Sequence, residues 1–323
     1  MLAKQVKKLM NECGEKREPF LFAVDFDLQE GVFIKNPLEQ NDILFTTPLG
    51  SNKPKAEKTV VVNKTLHSFP ISFEEYKMRF DTVMKGLTSG QSHLINLTVK
   101  TPIEISVGLR DIFMSSNSPY TLLVPDKFVC FSPERFVKIS DQIISTNPMK
   151  GTINADIPDA EQKILENEKE IAEHASIVKL LSSELSLVAN EVEVKRYRYI
   201  DRVKTINGDI LQVSSEISGK LPVNYHSNLG DIIFNLLPAG SVSGAPKKST
   251  LELIKISEPH NRGFYAGVFG YFDGNELDSG VLIRFITNEN GKSYFYSGGG
   301  ITSKSNAESE YNEVLEKIYL PFE

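Results

Sequence analysis

The chain has 323 residues, of which 40% are hydrophobic and 24% charged, and its formal net charge is −6. This composition is typical of one large globular domain or two ordinary ones, and acidic residues outnumber basic ones, which argues against nucleic-acid binding. The sequence lacks an apolar run of about 18 residues for a membrane span, a signal-peptide core, and enough cysteines for a disulfide framework. We therefore expect a cytoplasmic protein that does not cross a membrane.

The first 70 residues predict a helix followed by short strands at 20–26, 31–34 and 60–62. Residues 46–58 are rich in Pro, Lys and polar residues and predict a loop. From 72 to 87 the apolar residues recur at helical spacing, with Ser72 as the N-cap and Gly90 after the end. A strand follows at 93–100, and several short strands follow up to residue 145.

The second half alternates helices and strands in mixed order. A long helix is predicted from about 159 to 190, broken near its start. Further strands are expected at 191–203, 210–218, 265–272, 278–287 and 293–297, and helices at 227–235, 246–257 and 307–318. This order, with its hairpins, favours an α+β fold in which large antiparallel sheets pack against helices.

Two acidic pairs lie on predicted helices, Glu170 with Glu173 and Glu310 with Glu313. A spacing of three places each pair on one helix face. Two such faces brought together would offer the oxygen ligands that Mg²⁺ prefers. Pairs of this kind are also typical of solvated helix faces, so the spacing alone leaves both interpretations open.

Glycine-rich backbone occurs twice. Residues 298–300 are three glycines after a strand, which either form a tight turn or let the backbone approach a carboxylate closely. Residues 240–247 lead into a helix, whose N-terminus attracts anions, but their spacing is not that of a nucleotide-binding Walker A loop.

Lys150 lies between Pro148 and Gly151 at a predicted strand end. A lysine held there is either an ordinary surface residue or a nucleophile, if burial or nearby cations remove its proton.

Several ordered sequence blocks then become recognisable together: Asn96-Leu97-Thr98, Ser132-Pro133-Glu134-Arg135-Phe136, Pro148 to Thr152, Glu173-His174, Leu237 through Lys247, Arg262 to Gly267, Ile283-Arg284, Gly298 to Ile301, and Glu310-Tyr311 with Glu313 and Lys317. In these blocks the chain resembles the chorismate-utilising enzymes, which include anthranilate synthase component I, aminodeoxychorismate synthase component I, isochorismate synthase and salicylate synthase. The resemblance covers about residues 72–320. It implies an anthranilate synthase component I-like fold, with residues 1–70 as a short N-terminal region packed on a chorismate-binding catalytic domain at 71–323.

The resemblance also implies roles for individual residues. Glu173 and Glu313 match Mg²⁺ ligands, and Glu170 and Glu310 match carboxylates that support the metal. Lys150 matches the nucleophile and Glu134 the acid that protonates the departing 4-hydroxyl. The matches to substrate-binding positions are Arg284 and Lys317 near carboxylates, Tyr265 and the amides of Gly298 and Gly300 around the enolpyruvyl group, and Ser243, Thr152 and Gln212 in the pocket.

Two positions favour the aminodeoxychorismate synthase branch. The sequence around Lys150 resembles that of aminodeoxychorismate synthases, whereas anthranilate synthases usually carry Ala at the position of Lys150. The resemblance to isochorismate and salicylate synthases places a lysine that activates water at the position of Leu94. Leucine cannot activate water, so hydration at C2 is disfavoured. The implied mechanism needs a raised pKa at Glu134 and a lowered pKa at Lys150.

Three departures keep the exact branch open. Gln212 stands where most of the family has a histidine facing the ring. His174 after Glu173 is more typical of the isochorismate branch, and the helix around Ser183-Glu184 differs from amidotransferase-coupled members. We expect Mg²⁺ as cofactor, chorismate as substrate, and ammonia from a separate glutamine amidotransferase subunit or free ammonium. The alternatives are anthranilate synthase component I, isochorismate synthase, or a non-catalytic chorismate-binding paralogue.

Overall fold

The structure is a computed structural model that describes residues 1–55, 64–205 and 208–321. The predicted strand at 60–62 and the last part of the predicted loop at 46–58 lie outside these residues. The α-helices of the described chain are α1 (Ala3–Glu15), α2 (Phe73–Thr88), α3 (Leu109–Ser115), α4 (Ala160–Glu166), α5 (Glu168–Leu185), α6 (Leu229–Leu236), α7 (Gly240–Ser243), α8 (Lys247–Ser257) and α9 (Ala307–Glu316).

The strands of the first half of the described chain are β1 (Phe20–Val24), β2 (Gly31–Lys35), β3 (Leu44–Thr47), β4 (Gly50–Ser51), β5 (Leu66–Ser68), β6 (Leu94–Ile105), β7 (Tyr120–Val124), β8 (Phe128–Ser132), β9 (Arg135–Ser140), β10 (Ile143–Thr146) and β11 (Met149–Asn154). Those of the second half are β12 (Asn190–Thr205), β13 (Gly208–Lys220), β14 (Gly244–Ala245), β15 (Val268–Phe272), β16 (Leu277–Val281), β17 (Phe285–Glu289) and β18 (Lys292–Ile301).

These strands form two antiparallel sheets. One has the order β11-β13-β10-β9-β16-β15-β1-β2, with β12 also paired to β13. The other has the order β14-β6-β18-β17-β8-β7-β3-β4, with β5 also paired to β6. The predicted α+β class with large antiparallel sheets is therefore confirmed.

The main hydrophobic core contains buried residues from both sheets and from α1, α2, α5, α6 and α8. Strands β1, β15 and β16 are buried along their whole length, because they lie in the interior of the first sheet. A smaller core packs α3 against the second sheet, around Phe113, Phe131 and Phe295. Strands β1 and β2 from residues 1–55 belong to the first sheet and β3 and β4 to the second, while the boundary at residue 70 stays a prediction.

Helix capping follows the predicted local chemistry. The Ser72 side chain accepts a hydrogen bond from the backbone N–H of Glu75 at the start of α2. The predicted long helix is divided at Asn167, whose side chain accepts from the backbone N–H of Glu170 and so starts α5. The expected break near the beginning of this helix is thus confirmed.

Two predicted elements were wrong. The strand expected at 278–287 is two strands in different sheets, because Arg284 adopts φ 53° and the chain passes from β16 to β17 there. The alternative of a tight turn at Gly298–Gly300 is also wrong, since these glycines lie inside β18 and pair with β6. The triple glycine therefore belongs to an interior strand.

A buried ion pair joins α8 to the second sheet. The Glu258 carboxylate accepts from Arg262 at 2.6 and 2.9 Å and from the backbone N–H of Thr98 at 2.9 Å. The Arg262 guanidinium also donates to the carbonyls of Val242 and Asn96. This network connects the end of α8 with β6 and α7.

Arg262→Met should lower the free energy of unfolding by about 3–5 kcal/mol, because it leaves the buried Glu258 charge without its partner. Urea unfolding followed by circular dichroism measures the change. The control is Lys77→Met, which removes an exposed pair with Asp81 on α2 and should cost about 1 kcal/mol or less. Equal effects of the two substitutions would contradict the structural role of the buried pair.

Candidate active site

Lys150 lies on β11, at the edge of the first sheet, and faces α5. Its Nζ is 3.0 Å from Oε2 of Glu173. The pairing of β11 with β13 is irregular between Met149 and Thr152. Gly151 has φ 81°, and a Cβ there would lie 2.9 Å from Oε2 of Glu170. Only glycine therefore lets β11 bring Lys150 beside the acidic face of α5.

The second acidic pair approaches the glycine strand β18 from α9. A Cβ on Gly299 would lie 3.3 Å from Oε2 of Glu310 and 3.4 Å from Oε1 of Glu313. Lys317 follows one turn later, and its Nζ is 2.5 Å from Oε1 of Glu313 and donates to the carbonyl of Gly298 at 2.7 Å. The glycines of β18 therefore lie next to the two carboxylates of α9 and next to Lys317 at the end of that helix.

Gly300 links the two halves of the site. A Cβ at Gly300 would lie 4.0 Å from Nζ of Lys150 and 3.4 Å from Cδ1 of Leu94. The negative charges of Glu313 and Glu170 also act on Lys150. The structure therefore brings both predicted acidic pairs and both predicted lysines to one region between α5, α9 and β18.

The electrostatic balance at Lys150 corrects one expectation. Burial lowers the pKa of Lys150, but the carboxylates of Glu173, Glu313 and Glu170 outweigh burial, so the pKa is raised above its ordinary value. The predicted lowered pKa is therefore wrong for the chain by itself. A lowered pKa occurs instead at Lys317, through burial and the charges of Arg284 and Lys150, despite the opposing effect of Glu313.

Glu134 follows β8 and is half-buried beside α7. Its Oε1 accepts a hydrogen bond from the hydroxyl of Ser241 at 2.6 Å. Burial raises the pKa of Glu134, although the Ser241 hydrogen bond and the positive charges of Arg284 and Lys150 oppose the rise. The raised pKa expected for a general acid is confirmed, and the charge contributions place Glu134 within electrostatic reach of Lys150.

Arg284 and Tyr265 lie within electrostatic reach of Glu134. The guanidinium Nε of Arg284 donates to the hydroxyl of Tyr319 at 3.1 Å. Tyr265 precedes β15 and stacks on Tyr296 with ring centroids 5.1 Å apart. Burial raises the pKa of Tyr265 to about 12, and the charges of Arg284 and Glu134 both act on this phenol.

The remaining predicted substrate residues occupy different surroundings. Ser243 is fully buried in α7, and its hydroxyl donates to the carbonyl of Ala239 at 2.8 Å. Thr152 on β11 pairs with Gln212 on β13, so these two side chains lie next to each other on one face of the sheet. Thr152 is exposed and Gln212 half-buried.

The donor set at the acidic pairs consists of carboxylates, which suits a hard cation such as Mg²⁺. Oε2 of Glu170 is buried without a hydrogen-bond partner among the described residues, which is consistent with a ligand at this position. The described residues contain no group of three or more His, Cys, Asp or Glu side chains already gathered at coordinating distance. Glu170, Glu173, Glu310 and Glu313 are thus the residues that could hold the ion.

Comparison with known proteins identifies the family. The profile of the chorismate binding enzymes matches residues 26–322. The chain belongs to this family. The sequence resemblance is therefore confirmed, and chorismate is the substrate class that the family binds. Within the described residues, no helix is long and apolar enough to cross a membrane.

Among the relatives, a PabA-like protein of Haemophilus influenzae is 49% identical over 316 residues, covering 97% of this chain and 95% of the relative. Aminodeoxychorismate synthase component 1 of Escherichia coli is 30% identical over 262 residues, covering 76% of this chain and 56% of the relative. The chain thus spans a little over half of that longer enzyme.

Solved structures share the fold. The menaquinone-specific isochorismate synthase of Escherichia coli superposes with a TM-score of 0.76 at 17% identity, covering 97% of this chain and 80% of that chain. Anthranilate synthase component I of Streptococcus pneumoniae superposes with a TM-score of 0.66 at 26% identity, covering 78% of this chain and 58% of that chain. The predicted anthranilate synthase component I-like fold is confirmed.

Two residues of the candidate site are not predicted from the sequence. Ser241 lies within a recognised block, but the resemblance points to Ser243 as the pocket residue. The four-residue helix α7 turns Ser241 toward Glu134 and Ser243 toward its own backbone. Tyr319 belongs to no recognised sequence block, and only its hydrogen bond with Arg284 shows that it lies at the candidate site.

Ser241→Ala should raise the pKa of Glu134 further, because the hydroxyl hydrogen bond stabilises the carboxylate form. A carbon-13 NMR titration of the glutamate carboxyl groups measures this shift. If Glu134 acts as a general acid, activity is lost as pH rises through its pKa, so the alkaline limb of kcat/KM should move to higher pH. The control is Ser249→Ala, which removes a hydroxyl that donates to the carbonyl of Gln91. It should leave the pKa of Glu134 and the alkaline limb of kcat/KM unchanged.

Proposed function

We propose that the chain aminates chorismate at C4 to give 4-amino-4-deoxychorismate, the precursor of 4-aminobenzoate and folate. The observation that carries the proposal is the position of Lys150, whose amine lies between Glu173 and Gly300 and within electrostatic reach of Glu134. The named aminodeoxychorismate synthase relatives support the same assignment.

In this proposal Lys150 and Glu134 act in sequence. The half-buried acid of Glu134 donates its proton to the departing 4-hydroxyl, which leaves as water. The Lys150 amine attacks C2 and forms a covalent adduct. Ammonia then bonds to C4, and the bond between C2 and Lys150 breaks. Because Lys150 occupies C2 until this point, the new amine is formed at C4.

Positive groups would bind the carboxylates of chorismate. The Arg284 fork suits a bidentate carboxylate contact, and its only hydrogen bond from Nε in the described chain goes to Tyr319. Lys317 would bind near the second carboxylate and the metal. Tyr265 and the backbone amides of Gly298 and Gly300 would surround the enolpyruvyl side chain, and Ser243, Thr152 and Gln212 would complete the pocket.

Magnesium is the proposed cofactor, held through Glu173 and Glu313 with Glu170 and Glu310 in support. When bound, it would supply positive charge that polarises a substrate carboxylate and offsets the carboxylates around Lys150. Free amine at Lys150 is needed for attack, and the chain's own carboxylates hold this residue in the charged form. Ammonia is proposed to come from a separate glutamine amidotransferase subunit.

Anthranilate synthase is the second candidate, because a component 1 enzyme of Acetivibrio thermocellus is 34% identical over 282 residues. In that reaction ammonia itself bonds to C2, so the enzyme needs no nucleophile of its own there, and a placed Lys150 favours amination at C4. Isochorismate synthase needs a base that activates water, and Leu94 beside Gly300 offers only an apolar side chain. A non-catalytic binder would need neither Lys150 nor a raised pKa at Glu134.

Purified protein given chorismate, Mg²⁺ and ammonium should form 4-amino-4-deoxychorismate, identified by mass spectrometry. Lys150→Ala should reduce turnover by about 10³-fold or more while chorismate still binds, because the nucleophile is lost but the binding groups remain. Lys138→Ala, on the surface next to Glu276, is the control and should retain full activity. Anthranilate or isochorismate as the product would refute the proposal.

Glu310→Gln should weaken Mg²⁺ activation by about 10- to 100-fold, because a supporting carboxylate orients and charges the metal site. The measurement is the Mg²⁺ concentration that gives half-maximal activity, with Mg²⁺ binding followed by calorimetry. Glu308→Gln is the matched control, since Glu308 is exposed in the same first turn of α9. If the two variants need the same Mg²⁺ concentration, Glu310 has no part in metal binding.

A further inference from the structure

A small, partly open cavity of about 20 Å³ lies next to Glu134. Its apolar walls include Leu181 and Ala239, and its polar walls are Glu134, Arg135, Thr146, Asn147, Glu184 and Ser241. Pro148, two residues before Lys150, also lines it. A cavity of this size holds about one water-sized molecule, which needs polar partners of the kind found here.

Glu184 supplies an acceptor for such a molecule. It is buried on α5, and its Oε2 accepts from the backbone N–H of Gly240 at 3.3 Å. Lys247 Nζ lies 3.1 Å from Oε1 and forms an ion pair with this oxygen. Each carboxylate oxygen can accept two hydrogen bonds, so Glu184 can still accept from a small donor in the adjoining cavity.

We propose that this cavity holds the ammonia molecule that attacks C4, which rests on the proposed function. Ammonia has the size of water, three N–H donors for the two carboxyl groups, and one lone pair for attack. The apolar walls disfavour a free ammonium ion, whose burial is costly without a paired charge. The Lys247 ammonium already balances Glu184, so the cavity suits the neutral nucleophile.

The position of the cavity beside Glu134 also accounts for the protons that are transferred in the reaction. When the 4-hydroxyl leaves as water, Glu134 becomes a carboxylate and the adduct at C2 is a secondary ammonium. The nitrogen lone pair of ammonia then forms the C4–N bond, the two conjugated ring double bonds shift, and Lys150 leaves C2 as its free amine. The new C4 ammonium gives one proton to Glu134. The free amine and the acid are thereby both restored for the next turnover.

Ala239→Val tests the assignment by filling the cavity. We expect the KM for ammonia to rise by about tenfold or more, while the KM for chorismate and the Lys150 adduct formed without ammonia stay unchanged. The adduct is measured as the mass of the intact protein after incubation with chorismate and Mg²⁺. An unchanged KM for ammonia in the folded variant would overturn the assignment, as would a loss confined to chorismate binding, which would indicate a structural water.

Leu181→Ala tests the same cavity by enlarging it and covers the case in which the filled variant does not fold. It should allow methylamine to replace ammonia and give the N-methyl product, whereas the exposed control Leu187→Ala should not. Rejection of methylamine by both variants would count against the cavity. Failure of the wild-type chain to make any aminated product would overturn the proposed function itself and the cavity assignment with it.

Discussion

The arrangement of the site depends on the absence of side chains along Gly298–Gly300 of β18. A Cβ at Gly299 would lie 3.3–3.4 Å from the carboxylates of α9, and a Cβ at Gly300 would lie 4.0 Å from Nζ of Lys150. Gly299 and Gly300 therefore border the region that holds the acidic pairs and Lys150. A Cβ at Gly298 would lie 2.7 Å from the backbone oxygen of Leu97, so a larger residue there would require a shift of the neighbouring strand β6.

Charge is the second constraint on the site. Four carboxylates from α5 and α9 are accompanied by two lysines, one paired with Glu173 and the other with Glu313. This pairing allows so many ionised groups to occupy partly buried positions in a folded chain. The chain's own carboxylates thus favour the charged ammonium form of Lys150.

Local sequence signals predicted much of the fold. The apolar spacing and cap of α2, the break before α5 and the long antiparallel strands all follow from neighbouring residues. The division between β16 and β17 could not be predicted, because nothing in the sequence near Arg284 indicates that the chain changes sheets there. Its positive φ is imposed by tertiary packing and belongs to a residue type that carries no local turn signal.

The candidate site was predictable as a set of residues but not as an electrostatic system. The acidic pairs and Lys150 could be named from spacing and resemblance. The sign of the pKa shift at Lys150 could not, since Glu170, Glu173 and Glu313 approach it only in the folded chain. In the same way, the choice between Ser241 and Ser243 depends on the direction of a single helical turn.

The interior position of β1 has a consequence for biosynthesis. Phe20–Val24 pairs on one side with β2, which follows at once, and on the other side with Val268–Phe272. During translation the hairpin of β1 and β2 therefore emerges early with one apolar edge unpaired, and the strand that covers this edge is made near the end of the chain. Unpaired strand edges template aggregation, so we expect this edge to be open to pairing with other chains until β15 has been made.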